Sequence, residues 1–166
     1  MSVSRFLSIV VFVAAFAACS MSVSAQQFGP SELIQAAKLL EESPFDKNAE
    51  AIRAVAIRYV IETSDVSVTV CGGDITKPFL DKKNKNSTEL VGQYTIAMAA
   101  FKLKNPTQKD DENAAQLAGL ESVLRTYEAM ITVRPKTKHA MMDEYLLKRD
   151  RGELKTLVEG AACGKK

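Results

Sequence analysis

Leu90-Val91-Gly92-Gln93-Tyr94-Thr95-Ile96-Ala97-Met98-Ala99-Ala100-Phe101 is the stretch around which the chain is organised. Only Gln93 and Thr95 in it are clearly polar. At helical spacing Leu90, Tyr94, Ala97 and Phe101 share one face, and Val91, Met98 and Ala99 cover much of the rest. A helix that is apolar nearly all round must be enclosed nearly all round. The run falls short of the roughly 20 apolar residues that a membrane span requires. Gly92, Ala97, Ala99 and Ala100 keep it thin, so neighbouring helices can come close. The spacing therefore predicts the central helix of a helical domain.

Outward toward the C-terminus, Asn105-Pro106 ends this helix and 107–111 forms a polar turn. Asp110, Asp111 and Glu112 place negative charge at the positive end of the next helix. In that helix Leu117, Leu120, Leu124, Tyr127 and Ile131 step by three and four, a seam running over 112–133 and closed by Pro135. A last helical stretch begins near Lys138 with Met141, Met142, Tyr145 and Leu146 inward. Gly152 breaks or bends it, Leu154, Leu157 and Val158 continue it, and Gly160 ends it. The segment Tyr127-Glu128-Ala129-Met130-Ile131-Thr132-Val133-Arg134-Pro135 resembles the end of a tetratricopeptide repeat, in which an aromatic precedes a proline by about eight residues. Met130 stands where that pattern has a small residue, the Trp and Leu-Gly of the first repeat helix are missing, and no 34-residue period occurs. The resemblance implies stacked helix hairpins of a similar general kind rather than membership.

Toward the N-terminus, Asn86 and Glu89 bracket the central helix with the spacing of a capping box, with Ser87 as an alternative cap. Residues 81–86 read as a polar, lysine-rich loop, and Pro78-Phe79-Leu80 as a short apolar anchor. Val66-Ser67-Val68-Thr69-Val70 alternates strictly and is β-branched, the pattern of a strand. No second convincing strand pairs with it, so the region 63–86 is expected to be an extended linker or one short helical turn, its valines tucked against the bundle. Before it, Ala49, Ile52, Ala56, Tyr59 and Val60 make a stripe that reaches Glu62 and is capped by Asp46. Leu33, Ala36, Ala37 and Leu40 make another, capped by Ser31 and stopped near Ser43 by Pro44. The short connection between these two makes them antiparallel neighbours.

The first 25 residues have the three parts of a secretory signal: Arg5, an apolar run over 6–18 interrupted only by Ser8, and Val23 and Ala25 at the positions of a small-residue cleavage site. Cleavage after Ala25 leaves Gln26 first. Phe16-Ala17-Ala18-Cys19 resembles the lipobox of bacterial lipoproteins, with Phe16 where Leu is usual. That resemblance implies a lipid anchor at Cys19 as the alternative, and the preferred reading is a small apolar residue ending the run. Removing 25 residues from 166 leaves 141, enough for one domain. The mature chain carries 21 basic and 20 acidic side chains, which gives no electrostatic case for nucleic acid or an anionic membrane.

Chemistry is sparse. One histidine, His139, and two separated cysteines, Cys71 and Cys163, are too few ligands for a zinc site, and no haem or Cys-x-x-Cys redox motif occurs. No cofactor is expected. His139 reads as a surface residue in the first turn of the last helix. Glu41-Glu42, Asp110 to Glu112 and Asp143-Glu144 read as solvated caps or polar faces rather than a catalytic carboxylate pair. Gly72-Gly73 lacks the spacing of a phosphate loop, and Lys82, Lys83 and Lys85 form a solvated basic loop. Met98, Met130, Met141 and Met142 suit core filling better than the floor of a groove. After signal removal Cys71 and Cys163 are the remaining thiols, and an oxidising compartment favours a bridge between them.

These readings converge on an all-α single domain over 26–166, of five or six helices packed as antiparallel hairpins. The expected function is a non-catalytic module of the bacterial envelope or medium that binds a protein partner or a small apolar ligand. The alternative is a small secreted hydrolase or thiol enzyme using Cys71 or His139 with a carboxylate. A cleft joining His139 to Cys71 or to an acidic pair favours the enzyme; an apolar groove with His139 on the surface favours the module.

Overall fold

The computed structural model describes residues 28–161 and 163, so the expected signal peptide and Cys19 lie outside the described residues. Within them the chain is helical, with no strand: α1 (Pro30–Glu42), α2 (Ala49–Glu62), α3 (Lys77–Leu80), α4 (Ser87–Lys104), α5 (Glu112–Val133), α6 (Ala140–Asp150) and α7 (Leu154–Gly160). Short 3-10 turns at Gly73–Ile75, Pro106–Gln108 and Pro135–Thr137 join some of them. The expected count of five or six is corrected to seven among the described residues. The addition is the one-turn helix α3, where Pro78 sits in the first turn and Phe79 is fully buried. Gly152, at φ +72°, is the break between α6 and α7, a backbone conformation that costs glycine little.

Helix α4 is the wall between two halves of the core. On one side Leu90, Tyr94 and Met98 pack with Phe79, Leu120, Leu124, Tyr127, Met142 and Val158. On the other, Ile96, Ala99 and Ala100 pack with Leu33, Leu40, Ala56 and Val60 from α1 and α2. Burial on both sides follows from a sequence with few polar positions to turn toward water. The close approach of α5 to α4 rests on Gly119, where a Cβ would stand 2.7 Å from Met98 and 2.8 Å from the Tyr94 ring. Gly92 is the equivalent contact toward α2, facing the aliphatic stem of Arg53.

Three expected caps are corrected. Helix α1 starts a residue earlier than Ser31, with Pro30 in its first turn and the Gly29 N–H donating to the Glu32 carboxylate at 3.1 Å. Helix α2 starts at Ala49 rather than just after Asp46, whose carboxylate instead accepts from the Asn48 N–H at 2.8 Å in a tight turn. Asn86 occupies the cap position of α4 without a side-chain cap bond, and its side-chain amide nitrogen donates to Thr137 Oγ1 at 3.1 Å. The cap of α5 is as its acidic start suggested, with Asp111 accepting from the Ala114 N–H at 2.9 Å.

Cys71 and Cys163 form a disulfide across 92 residues of sequence, with Cα atoms 5.9 Å apart, within the range such bridges span. It ties the C-terminal end beyond α7 to the segment that leads into α3. Residues 66–70 lie in neither helix nor strand, so their β-branched alternation does not build the strand it resembles. Val66 is buried and Val68 partly so, while Ser67, Thr69 and Val70 face water. No helix among the described residues is long and apolar enough to cross a membrane.

Candidate functional site

Small residues recur where α1, α4 and α5 meet: Ala37 on α1, Ala97 and Ala100 on α4, and Ala118 on α5. With so little side chain to fill the junction, a groove of about 540 Å³ is left open at the surface, also lined by Ile34 and Phe101. Its rim is charged. Lys38 pairs with Glu42 at 3.7 Å, Arg125 pairs with Glu41, and Lys104 stands at one end.

The groove is held in shape by a polar network that begins inside the protein. Gln93, 1% exposed, donates through Nε2 to the Ala37 carbonyl at 2.9 Å and to Ser122 Oγ at 2.7 Å. Ser122 in turn donates to Glu41 Oε2 at 2.6 Å. Arg125 clamps the same carboxylate with Nε at 2.6 Å and Nη2 at 3.1 Å. Charge-assisted bonds thereby join α1 to α5, and the neutral bonds of Gln93 tie α4 to both. The reading of Glu41 as a solvated cap is corrected: its carboxylate is the junction between α1 and α5. Gln93 Oε1 is buried with no hydrogen-bond partner, the one loose end of the network.

A second cleft, of about 840 Å³, lies between α2 and the start of α4. Arg53 crosses its floor over Gly92, donating through Nη2 to the Pro44 carbonyl at 3.3 Å, with Nε buried and unpartnered. Burial pushes the Arg53 guanidinium below its ordinary value, opposed by the Glu89 and Glu50 carboxylates. Arg134 lies 3.5 Å above the Phe45 ring at the cleft edge, a cation–π contact.

His139 is not the surface residue its sequence position suggested. It occupies the cap position of α6 without a side-chain cap bond, its side chain is only 10% exposed, and Nε2 lies 3.7 Å from Asp81 Oδ2. Its Nδ1 is buried without a partner. The backbone N–H of His139 donates to the Tyr127 hydroxyl at 2.7 Å, and that hydroxyl donates to Asp143 at 2.7 Å. Burial pushes the Tyr127 phenol up to about 12; the His139 N–H opposes this and Asp143 reinforces it. Tyr94 and Tyr145 are also raised by burial, so neither phenol ionises at neutral pH. Asp143 is thus a partner of Tyr127 rather than a free member of a solvated face. His139 lines neither of the two clefts, and Cys71 is held in the disulfide. The structure does not bring these two residues together with a carboxylate pair.

Sequence reasoning missed Lys102. It is 5% exposed, donates to the Ser67 carbonyl at 2.9 Å and pairs with Glu112. Its signal was its place three and four residues after Ala99 and Met98, both fully buried. Glu112 likewise belongs to this pair rather than to a solvated acidic run. Among the described residues no three His, Cys, Asp or Glu side chains gather as a metal ion would need.

The class these features define is a disulfide-bridged, helical-hairpin domain with a small-residue groove on its surface. No family model, curated protein or solved structure matches the chain.

Proposed function

We propose that the protein is an exported, non-catalytic helical module that binds a protein partner of the bacterial envelope or medium in the α1–α4–α5 groove. The observation that carries this reading is the groove's construction: a floor of Ala37, Ala97, Ala100 and Ala118 between charged rims. An alanine floor lets the backbone of an incoming amphipathic helix approach closely, and paired rim charges set its orientation. A groove this open suits a segment of protein better than an enclosed small apolar ligand. Export is supported by the signal-like order of Arg5, the apolar run 6–18 and Ala25, and by a disulfide of the kind formed in oxidising compartments.

The enzyme reading loses its thiol, because Cys71 is bonded to Cys163. What remains for it is the His139–Asp81 pair, which sits away from both clefts.

A photo-crosslinking residue at position 118 tests the groove in the native envelope. A discrete adduct is expected there, and it should disappear when Ala100→Trp fills the floor. Equal labelling of many proteins, or an adduct indifferent to Ala100→Trp, would remove the groove from consideration. N-terminal mass analysis tests export: the expected first residue is Gln26, and a lipid-modified Cys19 or an intact Met1 would contradict it.

A further inference from the structure

Helix α7 has seven residues, too few to keep a helical shape without a seat to pack on. That seat is apolar and narrow. Leu154 and Val158 are buried in the larger core, and Leu157 and Ala161 are partly buried beside them. On one side a cleft of about 340 Å³ separates Val158 from Ala114 and Leu117 of α5. On the other a cleft of about 240 Å³ lies between Leu157 and Met141 and Tyr145 of α6. Among the described residues the side chains of α7 make one ion pair, Lys155 with Glu159 at 3.8 Å, and both partners belong to α7 itself. No side-chain polar bond therefore ties this helix to the rest of the molecule.

Its two ends are built differently. At the start stands Gly152, at φ +72°, with nothing within 4 Å of a would-be Cβ, a pivot in open space. Beyond the far end Cys163 is bonded to Cys71. The Cys71 side of that bond is anchored independently of it. The Ser67 carbonyl accepts from Lys102 Nζ at 2.9 Å and the Thr69 carbonyl from Gln116 Nε2 at 2.5 Å. Past the cysteine, the Tyr145 hydroxyl donates to the Asp74 carbonyl and Ile75 is fully buried. We infer that α7 is a flap latched by the Cys71–Cys163 bond and released when a dithiol reduces it. Both cysteines are only partly buried, so a thiolate has access. It attacks one sulfur and forms a mixed disulfide, displacing the other cysteine as its thiolate. The second thiol of the reductant then closes onto the first, freeing the remaining cysteine. Two electrons and two protons end on Cys71 and Cys163, and the reductant leaves as its own disulfide. The anchored segment stays in place while α7 swings about Gly152 and uncovers the apolar seat beside Leu117. A chain end stays ordered only while something ties it down, and here the tie is redox-sensitive. The inference goes beyond the groove reading and does not depend on it.

The test is hydrogen exchange read by mass spectrometry on the disulfide-closed chain, before and after treatment with dithiothreitol. Reduction should raise exchange across 154–160 by at least about tenfold, while 66–76, α4 and α5 keep their protection, and reoxidation should restore the closed pattern. Trypsin cleavage after Lys155 should appear on reduction as a second readout. Cys163→Ser removes the latch, so it should show the open pattern without reductant and no further response to dithiothreitol. Unchanged protection of α7 on reduction would overturn the inference. Loss of protection in α4 and α5 together with α7 would overturn it too, since the bond would then staple the whole fold rather than latch one flap. Release of 66–76 with α7 left in place would overturn it equally.

Discussion

Replacing Gly119 by alanine sets helix propensity against packing at the contact between α4 and α5. In a helix interior Gly→Ala ordinarily stabilises by about 0.5–1 kcal/mol, since glycine loses more backbone freedom on folding. At Gly119 the new Cβ would stand 2.7 Å from Met98 Cγ and 2.8 and 2.9 Å from two Tyr94 ring carbons. Optimal carbon contacts lie near 3.5–4.0 Å, so several tenths of an ångström must be found on every side. Tyr94 cannot easily provide them, being fully buried with its hydroxyl bonded to Gln116. Overpacking of this kind costs about 1–3 kcal/mol, leaving a net destabilisation of about 0–2.5 kcal/mol. Two other helical glycines calibrate the result. Gly160 has nothing within 4 Å of its would-be Cβ, so Gly160→Ala should match or slightly exceed wild type. Gly92 faces Arg53 Cδ at 2.8 Å, and that half-buried side chain can swing into the adjoining cleft, so Gly92→Ala should be near neutral. Urea melts of the disulfide-intact proteins should order stability as Gly160→Ala, then Gly92→Ala, then Gly119→Ala. Finding Gly119→Ala at or above Gly92→Ala would refute the claim that the α4–α5 crossing is limited by this contact.

Three further outcomes are expected. Ala99 is fully enclosed in the α1–α2–α4 core, so Ala99→Asp should cost several kcal/mol as an unpaired buried charge, and more than Gly92→Leu, which displaces Arg53 for about 1–3 kcal/mol; both are read from thermal melts. Closing 92 residues with the disulfide should be worth about 4–5 kcal/mol in the chain-entropy model, measured as the loss in the double variant Cys71→Ala, Cys163→Ala. Two alkylated cysteines per unreduced monomer would show instead that the bridge is absent. The Tyr127 phenol is raised from 10.0 to about 12, so its contribution to stability is complete below pH 10 and is lost as pH climbs from 10 through 12. Tyr127→Phe should flatten that alkaline limb of a urea-midpoint profile, and an unchanged slope would contradict the assignment.

Much of the helix pattern was legible because its signals are local. Pro44, Pro106 and Pro135 mark where α1, α4 and α5 stop, and the step of three and four from Leu117 to Ile131 lies within α5 as found. The cap positions were less legible, since a capping side chain chooses between its own helix and any better partner nearby. Asn86 prefers Thr137, and no local rule announces a residue 51 positions away. The groove was visible only as a run of alanines, which in sequence says that something approaches closely without saying whether it is a neighbouring helix or open surface. Gly119, absent from the sequence reading, had a signal in the small residues Ala114, Ala115 and Ala118 beside it.

By itself the sequence determined the helical class and the centrality of 90–101, because periodicity and proline need no partner elsewhere, and it singled out Cys71 and Cys163 as the pair to expect. Tertiary structure alone decided which polar groups are buried and whom they meet. Glu41 reaches Arg125 across 84 residues, Lys102 reaches Ser67 across 35, and His139 turns inward to Asp81. A charged or polar side chain carries the same local pattern whether it faces water or a distant partner. Only the packing of α1, α4 and α5 around one another removes the water and supplies the partner instead.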